Sequence, residues 1–262
     1  MDAAAATTPA APSTPRFNPL LPYFAVFRTD LRQTFHSWLF RLWVIVVVIA
    51  AVGYGLYKFG IHREVGLVQS ASEQTGVLLG TVGVLTLAFV SLMAVHAICG
   101  ERGTVADSIL SRGISRRQYF AAKWHARTVV LLAAFAVLAA GVLTAYHYLL
   151  EPDLSFRGCV VGLAVAVAVL AAVIAWGVTV GAMANGTVIG ATLFWLVLFG
   201  GLFLLSFLPA PFPTGSGMLS ALRTTLRGHY DPTKVAQLIG VCLLVASVGG
   251  GVGLVGYSKK DV

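Results

Sequence analysis

Six histidines, three cysteines and one Gly-Ser-Gly triplet are the residues of this chain best equipped for chemistry, and their spacing argues against it. A metal centre needs three or four His, Cys or carboxylate ligands converging on one point. His62, His147 and His229 stand near the ends of separate apolar blocks and read as unpaired histidines at a membrane interface. His96 and His125 flank one polar segment, where structural hydrogen bonds account for them. Cys99, Cys159 and Cys242 form neither a CxxC nor another ligand spacing, so neither a metal site nor a disulfide framework is expected. Ser216, between Gly215 and Gly217, follows Pro209, Pro211 and Pro213, with no histidine in an apolar block placed to activate it. A phosphate-cradling GxxxxGK followed by Ser or Thr is missing, so the chain is not expected to bind and hydrolyse ATP by itself. No catalytic residue is therefore assigned. What remains is mechanical: Thr104 with Asp107, and Ser115 with Gln118, each set a capping side chain three residues ahead of a polar one that can return the bond.

The elements that hold those pairs are set by composition. The chain is 58% hydrophobic and 11% charged, against about 25% charged residues in an ordinary soluble domain. Its apolar residues come in long uncharged blocks rather than stripes, as a bilayer solvent demands. The net charge of +8 comes from basic residues at block ends, where they meet phospholipid headgroups. No basic stripe interleaved with aromatics is present, so no nucleic-acid partner is expected. Residues 1–22 carry prolines at 9, 12, 15, 19 and 22 and read as a disordered cytoplasmic tail. Residues 23–262 then form one membrane domain, its first span acting as an uncleaved signal anchor.

A crossing needs about 20 apolar residues in helix. Uncharged blocks place spans at about 38–57, 76–98, 128–150 and 235–257, the first broken only by Arg41, which can snorkel. The block from Gly158 to Leu222 is too long for one crossing. Asn185-Gly186 is a turn dipeptide that divides it into 158–184 and 187–208, and the prolines from Pro209 stop the second piece. The expected fold is thus all-α: a polytopic membrane protein of six transmembrane helices. Of the 18 Lys and Arg residues, twelve fall on the side holding both termini and the segment between spans two and three. That side reads as cytoplasmic, in the inner membrane.

Two segments carry further information. Phe24, Phe27, Leu31, Phe35 and Trp38 recur at spacings of three and four, with Arg28, Asp30, Arg32, Gln33 and His36 between them. This predicts an amphipathic helix lying in the cytoplasmic interface, its basic polar face outward, bending into span one. Between spans two and three, the Thr104 and Ser115 caps and Gly113, suited to the left-handed stop of a helix, predict a short cytoplasmic helix, a sharp turn, and a helix running through Lys123 into span three. Ile109 and Leu110 give the short helix an apolar contact surface.

In this segment Glu101, Gly103, Thr104, Leu110, Ser111, Arg112, Ser115, Arg116 and Lys123 match a pattern of Glu-x-x-Gly-Thr, a Leu-rich turn, Ser-Arg-x-x-Ser-Arg and Lys, with one residue fewer between Glu101 and Gly103. The chain thereby resembles permeases of the second ABC-exporter type, as does its terminal Tyr257-Ser258-Lys259-Lys260-Asp261. It departs from that pattern in having Val105-Ala106 for a Leu-Glu-like pair and Gly113 where proline is common. With no large extracellular domain, the layout is similar to that of the membrane subunit of the nitrous oxide reductase maturation transporter. The resemblance implies an exporter built from two permease copies, or two related chains, on an ATPase dimer that binds the ATP and Mg. It also implies that the short helix is a coupling helix docking on that ATPase. The residues so implicated are Glu101, Gly103, Thr104, Asp107, Ile109, Leu110, Arg112, Ser115 and Arg116. A membrane scaffold that only anchors a cytoplasmic ATPase would share the docking helix, whereas an intramembrane enzyme would need buried polar groups that the spans scarcely offer.

Small-residue pairs Gly76/Gly80, Gly177/Gly181, Gly186/Gly190 and Gly249/Gly253 are spaced for close helix approach, and Gly249-Gly250-Gly251 is expected to weaken or bend span six as a hinge. The loop from Pro209 to Thr233 is long enough for a short helix at about 218–226, a candidate lid over the outer end.

Overall fold

A computed structural model describes residues 20–64, 66, 70–100, 114–205 and 215–259. They form eight helices: α1 (Leu21–His36), α2 (Trp38–Glu64), α3 (Ala71–Cys99), α4 (Arg116–Leu149), α5 (Phe156–Met183), α6 (Thr187–Leu205), α7 (Gly215–Leu226) and α8 (Pro232–Lys259). Five of these, α2, α3, α4, α5 and α8, are long and apolar enough to cross a membrane. While the 187–208 stretch runs on past α6 outside the described residues, each of these five overlaps a stretch expected as a span and is longer than it. The reason is capping: polar first turns extend a helix past the hydrocarbon at no cost once its free amide donors are met.

Serine performs most of that capping. The Ser70 hydroxyl accepts from the Glu73 amide at the start of α3, and the Ser155 hydroxyl accepts from the Gly158 amide at the start of α5. Ser115 and Gln118 exchange bonds as a complete capping box, so α4 starts seven residues ahead of Lys123, as the sequence predicts. Ser37 is extended, with ψ 141°, and separates α1 from α2. Its hydroxyl donates to the Thr34 carbonyl at 2.8 Å and accepts from the Phe40 amide at 3.2 Å, ending one helix and capping the next. Around the expected break at Asn185-Gly186, Ala184 is extended at ψ 150° and α6 starts at Thr187.

The long helices run alternately up and down. Ser70, before α3, pairs with Glu151, after α4, whereas Cys99 at the other end of α3 meets Gly181 at the end of α5. Tyr257, near the end of α8, lies against Tyr119 and Phe120 in the first turns of α4. Thus α1, the start of α4 and the end of α8 share one end of the bundle, and α7 lies at the other.

Helix α5 sits centrally, touching α3, α4, α6, α7 and α8. Glycines bring it close to its neighbours. A Cβ on Gly181 would fall 2.3 Å from the Val95 carbonyl oxygen of α3, and one on Gly253 of α8 would fall 2.4 Å from both Phe120 and Thr179. The pairs Gly177/Gly181 and Gly249/Gly253 are therefore contact surfaces. The glycine run of α8 is helical throughout: Gly249 faces Trp176, Gly250 faces Trp124, and Gly251 faces open space. Thr179 and Trp176 donate to the Gly249 and Val245 carbonyls at 2.7 and 3.1 Å, fixing α5 to α8. The outward faces carry side chains such as Ile49, Val197 and Leu244, each about two-thirds exposed, as suits helices set in a hydrocarbon solvent.

Candidate functional site

Three features converge on possible function: a buried ion triad at the α1 end, an apolar cavity in the bundle, and the α7 cap at the far end.

The triad corrects the expectation for α1. Val26, Asp30 and Thr34, spaced by four, face the bundle and are buried, while Phe24, Phe35 and Trp38 are exposed. Asp30 belongs to the buried face, not to the outward polar one, because α4 supplies partners that lipid does not. The Asp30 Oδ1 atom accepts from Lys123 Nζ at 2.9 Å and from Arg127 at 3.3 Å, and Arg127 Nε lies 3.1 Å from Oδ2. All three residues are at most 4% exposed. Among the described residues two cations face one anion, a positive excess in a site where each desolvated ion costs several kcal/mol. The end of α3 offsets it. Lys123 donates to the Ala97 carbonyl at 3.0 Å, in the last turn of α3, where the free carbonyls carry partial negative charge. Tyr119 contributes its ring face, 5.4 Å from the ammonium. A second tie from α1 to α4 joins the Tyr23 hydroxyl to His125 Nδ1 at 3.0 Å, and burial pushes the Tyr23 phenol above its ordinary pKa.

Of the residues assigned to coupling, Ser115 and Arg116 are the N-cap and first residue of α4. Glu101, Gly103, Thr104, Asp107, Ile109, Leu110 and Arg112, with the Gly113 stop, lie outside the described residues. The segment containing them starts just after Gly100, whose amide donates to the His96 carbonyl to close α3, and ends just before the Ser115 cap. The triad sits directly behind both attachment points: Ala97 is three residues before Gly100, and Lys123 eight after Ser115. Sequence reasoning passed over Asp30. The available signal was that it is the only acidic residue of α1, set four residues from Val26 and Thr34 on one face.

The cavity, about 340 Å³, lies among α2, α3, α4 and α5 and is closed over by Leu222 and Leu226 of α7. Its lining is almost wholly apolar. The polar exceptions are Trp43 and Thr86, and the Trp43 indole N–H donates to the Thr86 hydroxyl at 3.4 Å, so the indole is satisfied.

The helix expected near 218–226 exists as α7 and is pinned to the bundle. Leu226 is 1% exposed, and its carbonyl accepts from the Ser155 amide at 2.9 Å. Gly158 admits it: a Cβ there would fall 2.1 Å from the Thr225 carbonyl oxygen. Arg223 pairs with Glu73 at 3.4 Å. Just past the helix, Arg227 Nε donates to Asp153 Oδ2 at 3.0 Å and to the Ser72 hydroxyl at 2.8 Å. The Ser72 amide and both the Ser70 and Ser72 hydroxyls also donate to Asp153. Burial alone would raise the Asp153 pKa, but the serine donors and Arg227 outweigh it and hold the carboxyl below its ordinary range.

Among the described residues no three His, Cys, Asp or Glu side chains gather closely enough to hold a metal ion. No protein-family model and no curated protein matches this chain.

Proposed function

We propose that this chain is the permease subunit of an ABC exporter, a six-span protein of the inner membrane with both termini cytoplasmic. Two copies, or two related chains, stand on a dimer of separate ATPase subunits that bind ATP and Mg, and the permease itself catalyses nothing. The observation that carries the reading is the Asp30–Lys123–Arg127 triad behind the segment 101–113. At 1.5 Å per residue the 34 residues of α4 span about 51 Å, against about 30 Å of hydrocarbon. Several turns at its Ser115 end therefore have length to stand clear of the acyl chains. The triad binds that protruding stem to α1 and to the last turn of α3, so displacement of segment 101–113 moves α1, α3 and α4 together. Helix α6, with 19 residues and about 28 Å of length, supplies the sixth crossing.

The reading rests on a contact between Ile109, Leu110 and the ATPase. Ile109→Asp with Leu110→Asp buries charge without a partner at that contact, which costs several kcal/mol. The double variant is expected to insert normally, lose co-purification with the ATPase, and lose transport. A well-expressed variant that keeps both association and transport overturns the proposal.

A further inference from the structure

The geometry points to an acyl-chain site inside the bundle: the cavity roofed by Leu222 and Leu226 holds one hydrocarbon chain of a bilayer phospholipid. The inference depends on the membrane setting of the helices and not on ATP-driven transport.

The occupant follows by elimination. Water is excluded because an apolar cavity stays dry unless several polar groups can bind it, and here the lining offers only the Thr86 hydroxyl and the Trp43 indole, whose N–H is already donated to Thr86. A polar solute is excluded on the same ground. A helix of a second copy, about 10 Å across with its side chains, would need an unbroken channel of that width, whereas the space lies among α2, α3, α4 and α5 with Leu222 and Leu226 across one end. Emptiness forfeits the contacts of every lining atom. Val84 of α3 and Val169 of α5 both line the cavity and are exposed, so it is open to what surrounds the bundle. At the depth of these helices the surroundings are acyl chains, flexible and narrow enough to enter. Gly83 shows that the space is real, because a Cβ built there meets no atom within 4 Å.

Trp43 reports on the occupant, since it lines the cavity and is fully buried, out of touch with the lipid around the bundle. The protein is reconstituted in nanodiscs of phosphatidylcholine with brominated acyl chains, which quench tryptophan at short range. The signal of Trp43 is obtained by difference from Trp43→Phe. We expect it to be quenched in the unaltered chain and largely unquenched in Gly83→Phe and in Ala166→Phe, which fill the cavity from α3 and α5 separately. Gly53→Phe, at an exposed α2 glycine that also has open space around it, is expected to keep the quenching. Equal quenching in the filled and unfilled proteins overturns the proposal. So does an unquenched Trp43 in the unaltered chain, which means an empty cavity or one covered by a second copy.

Discussion

Asp30 is the residue on which the α1 end depends. It is the only carboxylate placed against Lys123 and Arg127 among the ion pairs found in the described residues. Removing one member of a buried ionic cluster leaves the others charged and unpaired, at a cost of about 3–5 kcal/mol. Asp30→Asn is expected to lower the thermal stability of the detergent-purified protein by that order. Replacing all three with apolar residues, as Asp30→Leu, Lys123→Met and Arg127→Met, is expected to restore most of it, because no charge is then left buried. If the triple variant melts no higher than the single one, the triad is not an isolated electrostatic unit. The sequence made the amphipathic character of this helix legible but not its rotation. A helical wheel separates faces without saying whether an acid beside arginines looks to water or to cations 93 and 97 residues away. The coupling residues are the converse case: Ser115 was legible because a capping box is a local pattern closed within four residues.

The elements themselves were legible because a bilayer leaves a chain few choices. Uncharged blocks gave the apolar helices, and the turn at Asn185-Gly186 and the capping hydroxyls gave their boundaries. Which glycines touch a neighbour was not legible, since that depends on how each helix is rotated in the bundle. In α8 consecutive positions differ sharply. Gly253→Leu would drive a side chain into Phe120 and Thr179, and overpacking of this kind costs about 1–3 kcal/mol. Gly251→Ala faces open space and is expected to be neutral or stabilising by up to about 1 kcal/mol through helix propensity. Thermal unfolding of the two variants checks the contrast. Similar destabilisation by both would mean that the run is kept for flexibility instead of contact.

At the scale of the molecule, the alternation of helices places the start of α4 and the start of α8 at opposite ends of the bundle. With Cys99, Cys159 and Cys242 replaced, Thr233→Cys is expected to react with an impermeant thiol reagent on intact cells, and Arg117→Cys only after the membrane is opened. Labelling of Arg117→Cys from outside would reverse the orientation inferred from the basic residues. The triad also orders events during synthesis. Asp30 emerges 93 residues before Lys123, which at 5–20 residues per second is a wait of about 5–20 s. Helix α1 therefore meets the membrane long before its partners exist, and its exposed Phe24 and Phe35 suit it to rest on the surface meanwhile. Among the described residues the buried acid that meets Lys123 and Arg127 is Asp30, so α4 is expected to settle to its final depth when α1 swings in. The first helix to be made is thus among the last to find its place, and biogenesis of the whole bundle turns on one early carboxylate.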